Sequence, residues 1–92
     1  MYKVLSENDK AAARATLPEH CVDGLFRYFD NRIPPGGFMT ALLENDLKET
    51  FARADEINRE AVFAYVYWLY NHAPMGSYGS PEAVSAWLNP AQ

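Results

Sequence analysis

The chain has 92 residues, 49% of them hydrophobic, with two Trp, six Tyr and five Phe, and a formal net charge of -4. This is one domain, of a size that buries roughly 60–65% of the surface its unfolded chain exposes. The acidic balance argues against a duplex nucleic-acid binder, which needs a basic face for the phosphates. Cys21, the single cysteine, has no internal partner, so a disulfide-stapled secreted scaffold is not supported. Residues 1–17 hold no apolar run of signal-peptide length, and the longest apolar run, 61–70, is half the length of about 20 residues that a bilayer span needs. The expectation is a soluble, intracellular protein with no membrane partner.

Taken in chain order, Ser6 is placed to cap a first helix through about residue 15, with Asp9 at the third helical position and Glu7 favouring the positive end of the dipole. Its interior is alanine, which favours helix but buries little, so residues 1–16 are expected to dock loosely on a core of 17–88. Pro18 fits the first position of a second helix, where its missing N–H costs nothing. Val22, Leu25, Phe26, Phe29 and Ile33 recur there at spacings of three and four and share one face. Pro34-Pro35 stops it.

Gly36-Gly37 opens a third segment. Met39, Leu43, Leu47, Phe51 and Ala54 form its stripe, with Phe38 and Leu42 as a second apolar patch. Glu44/Lys48 and Glu49/Arg53 are acid-before-base pairs four apart, each worth about 0.2–0.5 kcal/mol to a helix. An unbroken helix from residue 38 to 70 would be roughly 50 Å long, too long for a domain whose expected radius of gyration is about 12–13 Å. A break near Ala54-Asp55 is predicted, with Asp55 capping a fourth helix over 56–71.

That fourth helix contains ten consecutive apolar or aromatic residues, Ala61 to Tyr70. An ordinary surface helix has a polar side; this one lacks it and must be covered over most of its circumference. Ile57, Ala61, Ala64, Tyr65, Trp68 and His72 lie on one face, Phe63, Val66, Tyr67 and Tyr70 on the opposite one. A loop over 74–79 follows, with two glycines that permit positive φ. Ser80, Pro81 and Glu82 then start a short fifth helix with Val84, Trp87 and Leu88 inward. No segment reads as a strand. The expected fold is all-α, a single-domain bundle of four to five helices, with Phe26, Phe29, Leu43, Leu47, Phe51, Ala61, Tyr65, Trp68 and Trp87 in its core.

The chemistry is sparse. His20-Cys21 invites a nucleophile reading, but His72 is the only other histidine and has no definite spacing to the thiol. Two histidines and one cysteine without ligand spacing make no zinc site. Glu44, Asp46, Glu49, Asp55, Glu56 and Glu60 are interleaved with Lys48, Arg53 and Arg59, the pattern of a solvated face. Gly36-Gly37 lacks the lysine and the strand of a phosphate loop. No enzymatic activity, metal or cofactor is therefore expected.

Binding remains. The face carrying Phe63, Tyr67 and Tyr70, with Tyr78 in the following loop, is the expected protein contact, since tyrosine is enriched at interfaces and aromatic anchors carry much of their energy. The competing reading is that the alanines of the first helix cover this face. Contacts would then fall around 34–38 or on the acidic 44–60 surface.

The stretch 33–47, IPPGGFMTALLENDL, followed by RADEIN at 53–58, YWLYNHAP at 67–74 and GSPEAVSAW at 79–87, resembles a family of small, mostly uncharacterised proteins encoded by tailed bacteriophages and prophages. The resemblance covers about 17–88 and carries no assigned chemistry. It implies a protein made in the cytoplasm of an infected bacterium that binds and modulates a host protein, such as a defence nuclease or the transcription machinery. Two alternatives stand beside it. One is a small helical homodimer with a structural or scaffolding role. The other is a nucleic-acid-associated regulator, which would need Arg27, Arg32, Lys48, Arg53 and Arg59 on one face.

Overall fold

The computed structural model describes residues 4–90. Seven helices and no strand occur among the described residues: α1 Glu7–Thr16, α2 Glu19–Asn31, α3 Gly37–Leu43, α4 Leu47–Arg53, α5 Glu56–Glu60, α6 Val62–His72 and α7 Pro81–Leu88. The all-α class holds. The count exceeds four to five because two of the predicted helices are each divided.

The first division follows from Asn45. It takes a left-handed conformation with φ 64°, which asparagine tolerates better than most residues. The Asn45 N–H donates to the Leu42 carbonyl and the Asp46 N–H to the Ala41 carbonyl, the paired bonds of a Schellman ending. Asp46 then caps α4 by accepting from the Glu49 N–H. The chain changes direction here, so Leu43 is fully buried whereas Leu47 is 68% and Phe51 41% exposed. Both were expected in the core, on a stripe that would need a continuous helix. The second division is slight: Ala61, with φ -95° and ψ 1°, separates α5 from α6, and Ile57, expected on the inner face, points to solvent.

The predicted starts hold where the cap is local. Ser6 and Asp9 bond reciprocally in a capping box, Asp55 accepts from Asn58 and Ser80 from Ala83 with Pro81 at the first turn. Pro18 differs. It occupies the cap itself, one residue before the expected position. Gly76 and Gly79 take positive φ in the loop after α6, as anticipated.

The core forms around α2 and α6. Leu25, Phe29, Leu43, Tyr65 and Trp68 are almost wholly enclosed, with Phe26 buried beside them. Phe29 and Trp68 meet with ring centroids 5.7 Å apart. Tyr28, off the predicted stripe, is also fully buried, and its hydroxyl donates to the Ser77 carbonyl at 2.7 Å. Ala61 and Trp87 are only partly covered, and Ile33, beyond the end of α2, is exposed.

α1 is held by polar contacts as well as by its alanines. Ala13 is fully buried. Trp68 Nε1 donates to the Asp9 carbonyl at 2.9 Å, and His72 Nδ1 lies 2.8 Å from the Asp9 carboxylate. Lys10 pairs with Asp30 of α2 at 2.9 Å, and Asp30 also accepts the Val4 and Leu5 amides. Burial raises the Asp30 pKa, but the Leu5 amide, Lys10 and the Val4 amide outweigh it and hold the carboxyl below its usual range. Among the described residues no buried side-chain nitrogen or oxygen lacks a hydrogen-bond partner, as a well-formed interior requires.

Candidate functional site

The helical period places Phe63, Val66, Tyr67 and Tyr70 on one line along α6, at i, i+3, i+4 and i+7. They are exposed by 79%, 51%, 63% and 82%. The Phe63 and Tyr67 rings stack on each other, centroids 6.1 Å apart at 25°. The opposite line is held inward by the Trp68 indole, which packs on Phe29 and bonds to α1. α1 thus covers the Trp68–His72 side, and its alanines leave the aromatic line open. Tyr78, the fourth expected contact residue, is half-buried and packs against the core.

Each large aromatic carries roughly 150–250 Å² of surface, so this line puts on the order of 400–500 Å² of apolar and aromatic surface into water. Typical monomers have a largest patch of about 300–600 Å², and such patches are often functional.

A second feature is a cleft of about 450 Å³ between the start of α2, the segment 33–37 and the Asp55–Asn58 turn. Asn58 is buried at its edge and organises it. Its side-chain oxygen accepts from the Tyr65 hydroxyl at 2.8 Å, and its amide nitrogen lies 3.4 Å from Cys21 Sγ. Burial pushes the Tyr65 phenol well above its usual range, and Cys21 adds to the shift. Asp55 receives the Asn58 N–H at 2.7 Å and faces His20 Nε2 at 3.4 Å. The Asn58 amide holds the Asp55 carboxyl below the ordinary value.

His20 turns to Asp55, Cys21 to Asn58 and His72 to Asp9, and among the described residues no hydrogen bond joins Cys21 to a histidine. No group of three metal-ligating side chains occurs among the described residues, and no helix there is long and apolar enough to cross a membrane. The acids of 44–60 are solvent-facing apart from half-buried Glu44. Of the cations a nucleic-acid face would collect, Arg27 and Arg53 line the cleft, whereas Arg32 is tied to Trp87.

No family model matches the chain, and neither a curated protein nor a solved structure matches it.

The cleft was only half legible in the sequence. The Pro34–Gly37 break marks an irregular segment, but Asn58 reads as an ordinary first-turn residue. Nothing local links it to Cys21, 37 positions earlier.

Proposed function

We propose that this chain is a protein-binding module that docks the outer face of α6 into a partner protein and performs no catalysis itself. One observation carries the reading: Phe63, Val66, Tyr67 and Tyr70 share an uncovered line. Apolar anchors at i, i+3, i+4 and i+7 are the pattern by which a helix seats in a partner's groove. The resemblance to phage-encoded proteins supports a partner from the bacterial host, with modulation of that partner as the outcome.

The homodimer is the less favoured use of the same face. Two copies pairing through this line alone would bury on the order of 800–1,000 Å², below the about 1,200–2,000 Å² of a stable interface. A grooved partner reaches that range by contacting surface that flanks this line as well as the line itself.

The test is a Tyr67→Glu/Tyr70→Glu variant, compared with the parent by sedimentation and by capture from bacterial lysate, with the captured protein then purified and rebound. A folded variant that loses the partner supports the reading. A folded variant that still binds it sinks the assignment to this face, and loss of self-association instead transfers the face to the homodimer.

A further inference from the structure

The chain as a whole carries -4, yet two arginines, Arg27 and Arg53, line the cleft beside α2 against one carboxylate, Asp55. That carboxylate is already engaged by the Asn58 N–H and by His20. Arg53 gives its Nε to Glu49 at 3.3 Å, while its Nη1 reaches over Gly37, where an added Cβ would come within 3.0 Å of it. Arg27 forms no ion pair among the described residues, and its Nη2 lies 4.0 Å from the position of a Cβ on Gly24. Each guanidinium therefore rests beside a glycine, close to the backbone of the cleft wall. The rest of the lining is mostly hydrocarbon, including Ile33, Pro34 and Phe38.

Guanidinium groups match the planar fork of a carboxylate, and a mostly apolar lining with a few polar groups is the usual make-up of a small-molecule site. The volume of about 450 Å³ falls within the about 300–1,000 Å³ of such sites. We propose that this cleft binds a small amphipathic carboxylate, its hydrocarbon or aryl body against Ile33, Pro34 and Phe38 and its carboxylate on Arg27 and Arg53. Inorganic phosphate is disfavoured, because it would strip hydration from a more highly charged ion without filling the apolar lining. The site shares no lining residue with the α6 aromatic line, so it stands or falls separately from the protein-binding reading.

The probe is 4-phenylbutanoate, titrated into the isotope-labelled full chain while backbone amide shifts are followed by nuclear magnetic resonance. Saturable shifts are expected at Gly24, Gly36, Gly37 and Asn58, with a Kd of about 1 mM or tighter, the range open to a fragment of this size. The neutral 4-phenylbutanamide and inorganic phosphate should each bind about tenfold more weakly or worse, since each lacks one half of the match. Arg27→Gln/Arg53→Gln should weaken binding by about tenfold or more, with the circular dichroism spectrum unchanged. The single substitutions carry the same test if the double one disturbs the fold. Tyr67→Glu/Tyr70→Glu should leave the titration as it is. The proposal is overturned if the amide binds as tightly as the acid, if phosphate alone reproduces the titration, if the shifts fall on 63–70, if nothing saturates, or if the arginine variants bind undiminished.

Discussion

The Arg32 guanidinium sits 3.8 Å above the Trp87 ring centre and donates to the Trp87 backbone carbonyl at 2.6 Å. Trp87 Nε1 in turn donates to the Tyr28 carbonyl at 3.0 Å, and the Tyr28 hydroxyl reaches the loop at Ser77. The end of α2 is thereby joined to both the loop at Ser77 and α7. Arg32 itself has φ 58°, a left-handed conformation that a non-glycine residue adopts at a cost of about 1–2 kcal/mol. The contacts to Trp87 offset that cost.

Arg32→Ala removes both contacts and keeps the unfavourable φ, so it should destabilise the fold by about 2–3 kcal/mol, from a charged hydrogen bond and a cation–π contact. Arg32→Gly loses the same contacts but relaxes the backbone, and should recover about 1 kcal/mol of this. Urea unfolding of the two variants checks the order. An alanine variant as stable as the glycine variant would show that the left-handed backbone at this position carries no penalty once the Trp87 contacts are gone.

Acid should destabilise the protein through Asp30 and Asp9. Both carboxyls have folded pKa values below the ordinary 3.8. For Asp9, burial raises the pKa, and the bonds from Ser6 and His72 outweigh it. A depressed folded pKa means that the unfolded chain takes up protons first. The stabilisation is therefore complete above about pH 5 and is lost as pH falls below about 4, through the folded values. Asp30→Asn should cost about 2–3 kcal/mol at pH 7, because Lys10 loses its partner but has a stem long enough to reach water. It should also flatten the acid limb of a stability–pH curve measured by thermal unfolding.

Adjacent residues on α6 should behave oppositely. Trp68 is 2% exposed, and Trp68→Ala should cost about 3–5 kcal/mol, enough to unfold a domain at the low end of the usual 5–15 kcal/mol. Tyr67→Ala, one position earlier on the open line, should change stability by about 0.5 kcal/mol or less. Denaturant midpoints of the pair measure this, and equal losses would mean that both faces of the helix are buried.

Gly24 lies inside α2, and a Cβ built there meets nothing closer than Arg27 Nη2 at 4.0 Å. Gly24→Ala should therefore stabilise the protein by about 0.5–1 kcal/mol, since alanine loses less conformational freedom in a helix. A fall in the melting temperature would show that the position needs glycine for a reason other than space.

Local chemistry was decisive wherever the partner lies within a turn. Ser6, Asp55 and Ser80 could be read as caps because each accepts an N–H three residues on. The apolar character of 61–70 and the division of that helix into two faces were likewise set by spacing alone. Tertiary structure decided which face would be covered. Trp68 turns inward because Phe29 and the Asp9 carbonyl lie there to receive it, and none of the helices among the described residues lies over Phe63, Tyr67 and Tyr70. Leu47 and Phe51 show the limit of periodicity. Their spacing continues the stripe of Met39 and Leu43, but the left-handed turn at Asn45 sends the two halves to different environments. The cleft was least legible, since Arg27 and Arg53 come to line one cavity, and Cys21 and Asn58 become neighbours, only when the helices pack. Short-range hydrogen bonding and side-chain period are properties of a few consecutive residues, whereas burial depends on what the remainder of the chain brings alongside.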